Sequence, residues 1–211
     1  DRRTRSTPPQ LEHSDADHVG HHDQREFPAP TLAPDGSNEN PGEHDAVDRR
    51  VRNQSELLIE EQAREAARQA DVVVAVVGIT SDLEGEENGV QQEGFKGGDR
   101  TSLDLPREEQ RLLEAVKGSG KPLVVVVMSG SAIALNWAKQ NANAILQAWY
   151  PGEEGGTAIA QTLDGTSNPS GRLPVTLYTG VDQLPDFTDY SMARRTYRYF
   201  EGEPLYPFGF G

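Results

Sequence analysis

Three glutamates lie within four positions of the chain, and they are the residues whose type and spacing most directly suggest chemistry: Glu84, Glu86 and Glu87. Carboxylates this close repel one another, which raises the proton affinity of whichever is most buried. A carboxyl group held protonated near neutral pH can serve as the general acid of a glycosidase. The same residues also fit a solvated acidic loop or a weak calcium site, so the cluster alone leaves these interpretations open.

The glutamates belong to a long connection that follows a predicted strand. The unbroken apolar run from Val72 to Gly78 is typical of a strand buried on both faces of a parallel sheet. The segment after it, from Ile79 to Arg100, is far longer than the usual connection of about 2–6 residues. Because ligands bind beyond the carboxyl ends of the strands in open α/β sheets, we expect this loop to form the functional site.

Helices alternate with strands along the rest of the chain, which predicts an α/β fold with an open, mostly parallel sheet sandwiched by helices. A helix from Ser55 precedes the first strand. The later elements are a helix opened by Pro106 and closed by Gly118, a buried strand from Leu123 to Met128, a short helix from Ser131 to Lys139, a third strand from Ala144 to Trp149, a helix from Gly155 to Leu163, and an extended edge segment over residues 172–178.

Residues 1–54 are predicted to be a disordered tail or linker, and residues 55–211 to be the folded domain. The first segment has hardly two apolar residues in a row, so it buries too little surface to offset the entropy of ordering. It also contains all five histidines, but a floppy polar segment does not orient metal ligands. We therefore expect no metal site there.

Composition excludes several classes of function. The formal net charge of -14 disfavours binding to nucleic acid and to anionic membranes, whereas a neutral sugar is compatible with it. The absence of cysteine excludes disulfides, a thiol nucleophile and cysteine-based zinc sites. No apolar stretch approaches the roughly 18 residues that a membrane helix needs.

A series of motifs runs in the same order as in a known family. The motifs are Glu84-Gly85-Glu86-Glu87, Gly97-Gly98-Asp99-Arg100-Thr101, Leu103-Asp104-Leu105-Pro106, Ser129-Gly130-Ser131, Ala148-Trp149-Tyr150-Pro151-Gly152, Gly155-Gly156-Thr157-Ala158, Gly171-Arg172-Leu173-Pro174-Val175-Thr176, Arg195-Thr196-Tyr197-Arg198-Tyr199-Phe200 and Leu205-Tyr206-Pro207-Phe208-Gly209-Phe210-Gly211. From about Ser55 to its last residue, the chain resembles the C-terminal domain of glycoside hydrolase family 3, the β-glucosidase and β-xylosidase family.

The resemblance implies a fold, a reaction and a partner domain. The fold would be an α/β sandwich of the six-strand class. The reaction would be hydrolysis of terminal non-reducing β-D-glucosides or β-D-xylosides with retention. An aspartate on an N-terminal (β/α)8 barrel, normally in the same chain, would be the nucleophile, and a glutamate of the present domain would be the general acid/base. The resemblance implies no metal or organic cofactor, and it favours a secreted or periplasmic location.

The same resemblance assigns residues to roles. Counting from the end of the first strand places the general acid/base at Glu84, counting back from Asp99 and Arg100 favours Glu87, and Glu86 is the third alternative. Asp99 and Arg100 have two interpretations: an ion pair that braces the end of the loop, or contacts to sugar hydroxyls as substrate-binding residues.

Two expectations follow from what the 211 residues contain. No segment resembles the barrel, so we expect the chain alone to be inactive, because an acid without its nucleophile loses most transition-state stabilisation. The competing hypothesis is a non-catalytic carbohydrate-binding or scaffold module in which the acidic loop only binds partners.

Overall fold

The computed structural model describes residues 41–85, 89–90, 92–97 and 99–211, with side chains from residue 54 onward. Glu86, Glu87 and Gly98 therefore lie outside the described residues. The helices are α1 (Pro41–Gln69), α2 (Arg107–Lys117), α3 (Asn136–Asn141), α4 (Gly155–Leu163) and α5 (Thr196–Tyr199), and the strands are β1 (Val73–Gly78), β2 (Phe95–Lys96), β3 (Asp99–Arg100), β4 (Leu123–Met128) and β5 (Ala144–Gln147). No helix in this part of the chain is both long enough and apolar enough to cross a membrane.

A parallel sheet forms the centre of the domain. Its strands lie in the order β1-β4-β5, and both neighbouring pairs are parallel. The central strand β4 has the most buried side chains: Leu123, Val125, Val126 and Val127 are all 0% exposed. Full burial of such a side chain contributes roughly 1.5–3 kcal/mol to folding. The predicted α/β fold with an open parallel sheet and flanking helices is confirmed.

Helices α1 and α2 pack against each other and extend the core. Leu113 of α2 is 0% exposed, and Ala67 of α1 is 4% exposed. An ion pair also links the two helices, since the Arg111 guanidinium lies 2.8 Å from a carboxylate oxygen of Glu60. The spacing of Leu113 and Val116 on α2 follows the helical period, which places both side chains on the buried face.

The sequence predicted that strand β1 is buried on both faces, and this prediction is wrong. Val77 is 3% exposed, but Val74 and Val76 are 45% and 58% exposed. Strand β1 lies at an edge of the described sheet, and its exposed side chains alternate along the strand, so one of its faces lacks a full cover among the described residues. An unbroken apolar run does not distinguish such an edge strand from a central one.

The starts of two helices also differ from the sequence prediction. Helix α1 begins at Pro41, not Ser55, so residues 41–54 of the predicted linker are helical. Proline is favourable at the first helical position, because its fixed φ suits a helix and its missing N–H has no partner there. Helix α3 begins at Asn136, not Ser131, because Ala134 instead pairs with Asp104 in an isolated parallel bridge. The domain boundaries at residues 54 and 55 stay predictions.

The six-strand count is not found in the described residues, whose parallel sheet has three strands. The predicted edge segment over residues 172–178 does not join that sheet. It pairs with the end of the chain, where Leu177 and Tyr206 exchange backbone hydrogen bonds of 2.9 and 3.2 Å. Pro174 has no N–H to donate, which limits this segment to a short antiparallel contact.

Candidate active site

The loop after β1 begins with a tight turn that orients Glu84. The backbone N–H groups of Leu83 and Glu84 both donate to the carbonyl oxygen of Thr80, at 3.0 and 3.2 Å. Ile79, just after the strand, is 4% exposed and anchors the turn in the core. The turn therefore directs Glu84 back over the carboxyl edge of the sheet.

The Glu84 carboxylate joins three loops of that edge. Its Oε2 atom accepts a hydrogen bond from the backbone N–H of Gly130, at 2.8 Å, and another from the Tyr150 hydroxyl. Gly130 follows β4 and Tyr150 follows β5, so loops from all three parallel strands meet at one oxygen atom. We call Glu84, Arg100, Gly130 and Tyr150 the Glu84 cluster.

Two acceptor oxygens compete for the single proton of the Tyr150 hydroxyl. Its hydroxyl lies 3.0 Å from the carbonyl oxygen of Ile79 and also contacts Glu84. Burial, together with the hydrogen bond to the Glu84 carboxylate and its charge, raises the pKa of Tyr150 to about 12. The phenol therefore remains a proton donor throughout the physiological range. The preceding residue, Trp149, has a φ of 55°, an unusual value for a non-glycine residue.

Gly130 is a glycine because the cluster leaves no space for a side chain. A Cβ at this position would lie 2.6 Å from Cε2 of Tyr150 and 2.8 Å from Oε2 of Glu84. The preceding Ser129 is fully buried, and its hydroxyl donates to the carbonyl oxygen of Ser131 at 2.7 Å. These contacts fix the backbone N–H that Glu84 accepts.

Arg100 braces the other end of the long loop. Its guanidinium donates to the carbonyl oxygens of Ser102 and Asp104, at 2.9 and 3.2 Å, and to the Ser131 hydroxyl at 3.2 Å. It also lies over the Phe95 ring, 5.2 Å from the centroid. These bonds link the end of the loop to the loop after β4 and favour a structural role for Arg100.

Asp99 is next to Arg100 in the chain, but it does not share the contacts that Arg100 makes. Within the described part of the chain, the two residues form no ion pair with each other, and Asp99 is exposed in the β2–β3 hairpin opposite Lys96. The predicted brace therefore comes from Arg100 alone. Contact of either residue with a sugar stays a prediction.

The pKa of Glu84 lies below its ordinary value. Burial raises it, but hydrogen bonds from Ser131, Tyr150 and Gly130, with the charge of Arg100, outweigh burial and lower it. This direction is opposite to the one that repulsion within the glutamate cluster led us to expect for a general acid. In this arrangement Glu84 is a carboxylate that accepts hydrogen bonds.

A groove of about 780 Å³ lies apart from the Glu84 carboxylate. Its lining includes Arg100 and Phe95 from the long loop, and Glu56 and Arg111 from helices α1 and α2. Glu84, Gly130 and Tyr150 are not part of its lining. Arg100 is therefore the one member of the Glu84 cluster that also faces this groove.

Sequence reasoning named Glu84 and Arg100 as site residues but did not predict that Gly130 and Tyr150 contact Glu84. Both residues were visible as members of family motifs. A further signal was available, since each follows a predicted strand, and the carboxyl ends of parallel strands meet at one edge of a sheet. Glu86 and Glu87 lie outside the described residues.

Comparisons with known proteins agree with the fold and the motifs. The family model for the glycosyl hydrolase family 3 C-terminal domain matches residues 23–211. A xylan 1,4-beta-xylosidase from Xylanibacter ruminicola is 55% identical over 139 residues, which are 66% of this chain and 16% of that protein. A periplasmic beta-glucosidase from Salmonella typhimurium is 42% identical over 163 residues, covering 72% of this chain and 20% of that protein.

A solved β-glucosidase structure is also similar to this chain in fold and sequence. The β-glucosidase of Erythrobacter marinus superposes with a TM-score of 0.61 and 37% identity, over 76% of this chain and 21% of that one. The chain thus spans about a fifth or less of the length of these relatives. Since the family model covers nearly the whole chain, and the parallel sheet and the ordered motifs agree with it, this protein belongs to glycoside hydrolase family 3 and corresponds to its C-terminal domain.

Proposed function

We propose that this chain is the C-terminal domain of a retaining β-glycosidase that hydrolyses terminal non-reducing β-D-glucosides or β-D-xylosides, and that the loop after β1 supplies the general acid/base. The observation that carries the proposal is the position of this glutamate-rich loop at the carboxyl edge of the sheet, where Glu84 contacts the loops after β4 and β5. The names of the relatives, a xylosidase and two β-glucosidases, support the substrate class.

The reaction would use two carboxyl groups in two steps. A barrel aspartate attacks the anomeric carbon while a carboxylic acid of the loop protonates the departing glycosidic oxygen. The resulting carboxylate then takes a proton from water, whose oxygen attacks the same carbon and releases the aspartate. Glu84 is the first candidate for the loop carboxyl, with Glu87 and Glu86 as alternatives. Asp99 and Arg100 remain candidates for sugar contacts.

The nucleophile would come from a second domain. The great length of the relatives supports a family 3 (β/α)8 barrel in the same polypeptide. The name of the Salmonella typhimurium relative supports a periplasmic or secreted location. A β-linked oligosaccharide or glycoside would then bind between the barrel and the loop after β1.

A chimera tests the proposal. The matching segment of the Xylanibacter ruminicola xylosidase is replaced by that of this chain, and Glu84, Glu86 and Glu87 are changed to Gln one at a time. Loss of the general acid/base should lower kcat/KM by about 10²–10⁴-fold, most strongly for substrates with poor leaving groups. It should also remove the basic limb of the pH profile, and azide should restore turnover by forming the β-glycosyl azide.

Glu114→Gln, an exposed glutamate of α2, serves as the matched control and should leave all these readouts unchanged. We expect one of the three loop variants to show the full set of effects. If all three hydrolyse poor substrates as fast as the unchanged chimera, the loop is not catalytic. That result would favour a non-catalytic carbohydrate-binding or scaffold module.

A further inference from the structure

We infer that Tyr150 is a positioning residue, which holds the Glu84 carboxyl group in one orientation through both steps of the reaction. Its hydroxyl proton alternates between Glu84 and the carbonyl oxygen of Ile79 as Glu84 loses and gains a proton. The inference rests on the proposed function, with Glu84 as the general acid/base, and adds a residue from the loop after β5 to it. It follows from the contacts of the hydroxyl, from the packing of the ring and from the charges beside the pair.

Two donors from other loops hold one oxygen atom of Glu84. Oε2 accepts from the Gly130 N–H at 2.8 Å and from the Tyr150 hydroxyl. An oxygen that already accepts two hydrogen bonds is a poor site for a further proton, so a proton on Glu84 is better placed on Oε1. Oε2 is then the oxygen that anchors the side chain, and Oε1 is the oxygen that exchanges protons with the glycosidic oxygen and with water.

The Tyr150 ring packs closely against the loop after β4. A Cβ on Gly130 would lie 2.6 Å from Cε2 of the ring. The backbone before the ring is also constrained, because Trp149 has a φ of 55°. A non-glycine residue keeps such a conformation only where the surrounding structure imposes it. The packing and the backbone therefore hold the phenol oxygen beside Glu84.

The Tyr150 hydroxyl has a second acceptor for its proton. The carbonyl oxygen of Ile79 lies 3.0 Å from the phenol oxygen. When Glu84 is a carboxylate, the phenol proton points to it, since a hydrogen bond to an ionised group is roughly twice as strong as one between neutral groups. When Glu84 is protonated, the same proton turns to Ile79. The hydroxyl therefore has an acceptor in both states of Glu84, and the loops keep their positions through the reaction.

The charges beside the pair favour the phenol as donor and Glu84 as acceptor. Burial raises the pKa of Glu84, but hydrogen bonds from the Ser131 hydroxyl and from its other two donors, together with the charge of Arg100, lower it overall. Burial and the bond to Glu84 raise the pKa of Tyr150 to about 12, so the phenol keeps its proton. Since the Tyr150 hydroxyl favours the carboxylate, its removal should raise the pKa of Glu84.

A double-mutant cycle in the same chimera tests the inference. Tyr150→Phe keeps the ring that packs against Gly130 and removes only the hydroxyl. We expect it to lower kcat/KM for substrates with poor leaving groups by about 10-fold, because a hydrogen bond to a charged group is lost. In the Glu84→Gln background the same change should lower the residual kcat/KM by less than about 2-fold, because Tyr150 acts through Glu84. Tyr190→Phe, at a residue that is 87% exposed, is the control and should leave every readout unchanged.

Two further readouts separate positioning from a general structural effect. Tyr150→Phe should move the basic limb of the kcat/KM profile up by about one pH unit, because it removes a donor that favours the Glu84 carboxylate. It should also slow the second step by about 10-fold, because Glu84 needs its partner as a base as well as an acid. The second step is measured as kcat for aryl glycosides with good leaving groups.

Each other result has a distinct meaning. If Tyr150→Phe slows the Glu84→Gln chimera as much as the unchanged one, or leaves the basic limb in place, Tyr150 has only a structural role and the inference is overturned. If only one of the two steps is slowed, the alternating proton is wrong. The proposed function stands in these cases as long as one loop glutamate variant loses the basic limb and is rescued by azide. If that variant is not Glu84→Gln, the inference alone fails, and if no variant does so, the proposed function fails.

Discussion

At the scale of single residues, Gly130 is the position that the site constrains most severely. A Cβ there would approach the Tyr150 ring and the Glu84 carboxylate to less than 3.0 Å. We predict that Gly130→Ala lowers the free energy of unfolding by about 1–3 kcal/mol, the usual cost of excess volume in a packed region. Urea denaturation followed by circular dichroism would measure this change in the free energy of unfolding.

Gly156 provides the matched control for that substitution. It lies in the first turn of α4, and a Cβ there would meet nothing within 4 Å. Alanine is the better helix former, so Gly156→Ala should leave the stability unchanged or raise it slightly. Equal stability of the two variants would mean that the close packing around Gly130 is not present in solution.

At the scale of elements, Glu109 connects helix α2 to the end of strand β1. Its carboxylate accepts from the Gly78 N–H at 2.7 Å, in a half-buried position. Burial raises the pKa of Glu109, the Gly78 hydrogen bond partly opposes this, and the nearby charge of Glu108 adds to the rise. A raised pKa in the folded state means that the contribution of Glu109 to stability is complete below its unfolded pKa and is lost as pH rises through the folded pKa.

We therefore predict that the free energy of unfolding of the Glu109→Gln variant increases, relative to that of the unchanged chain, as the pH rises from about 4 to 7. Gln keeps an oxygen for the Gly78 N–H but carries no charge to bury. Glu109→Ala is the control: it leaves that N–H without its acceptor, so it should be less stable than Glu109→Gln by about 1–3 kcal/mol. Denaturation midpoints of the unchanged chain and both variants across this pH range would test the prediction. If the stability difference between Glu109→Gln and the unchanged chain did not depend on pH, the assigned role of Glu109 would be wrong.

The elements also show how far sequence reasoning reaches. Strand β4 and helix α4 were predicted at their observed bounds, and α2 within a residue. For α2 and β4 the reason is that Pro106, Gly118 and Pro122 mark clear starts and stops. Strand β1 has the same apolar pattern as β4, yet it lies at an edge of the described sheet and is exposed in part. Periodicity reports which residues are apolar, whereas the order of strands depends on contacts distant in sequence.

The same limit applies to the site. Motif spacing identified Glu84 and Arg100, and the rule for parallel strands identified the edge at which they lie. The partners of Glu84 are 46 and 66 positions away, at Gly130 and Tyr150, and no local pattern reveals such contacts. The lowered pKa of Glu84 reflects those partners, which the spacing of the three glutamates does not reveal.

At the scale of the whole molecule, the Glu84 cluster contains only half of what a retaining glycosidase needs. Such enzymes place two carboxyl groups about 5–5.5 Å apart across the scissile bond. In the described part of the chain, Glu84 is in contact with a backbone N–H, a phenol and the Ser131 hydroxyl and lies near the charge of a guanidinium, and none of these groups is a carboxyl group. Under the proposed function, the second carboxyl group is the aspartate of the barrel.

We therefore predict that the purified 211-residue chain does not hydrolyse aryl β-D-glucosides or β-D-xylosides measurably, although its chimera with the xylosidase does. Without the barrel, neither covalent attack nor positioning of the sugar is available, and these account for most of the barrier reduction. Release of p-nitrophenol would be measured for the chain, the chimera, and a variant of the chain with Gln at positions 84, 86 and 87. Turnover by the chain that disappears in this triple variant would show that these residues catalyse hydrolysis without a barrel, and the two-domain mechanism would then have to be abandoned.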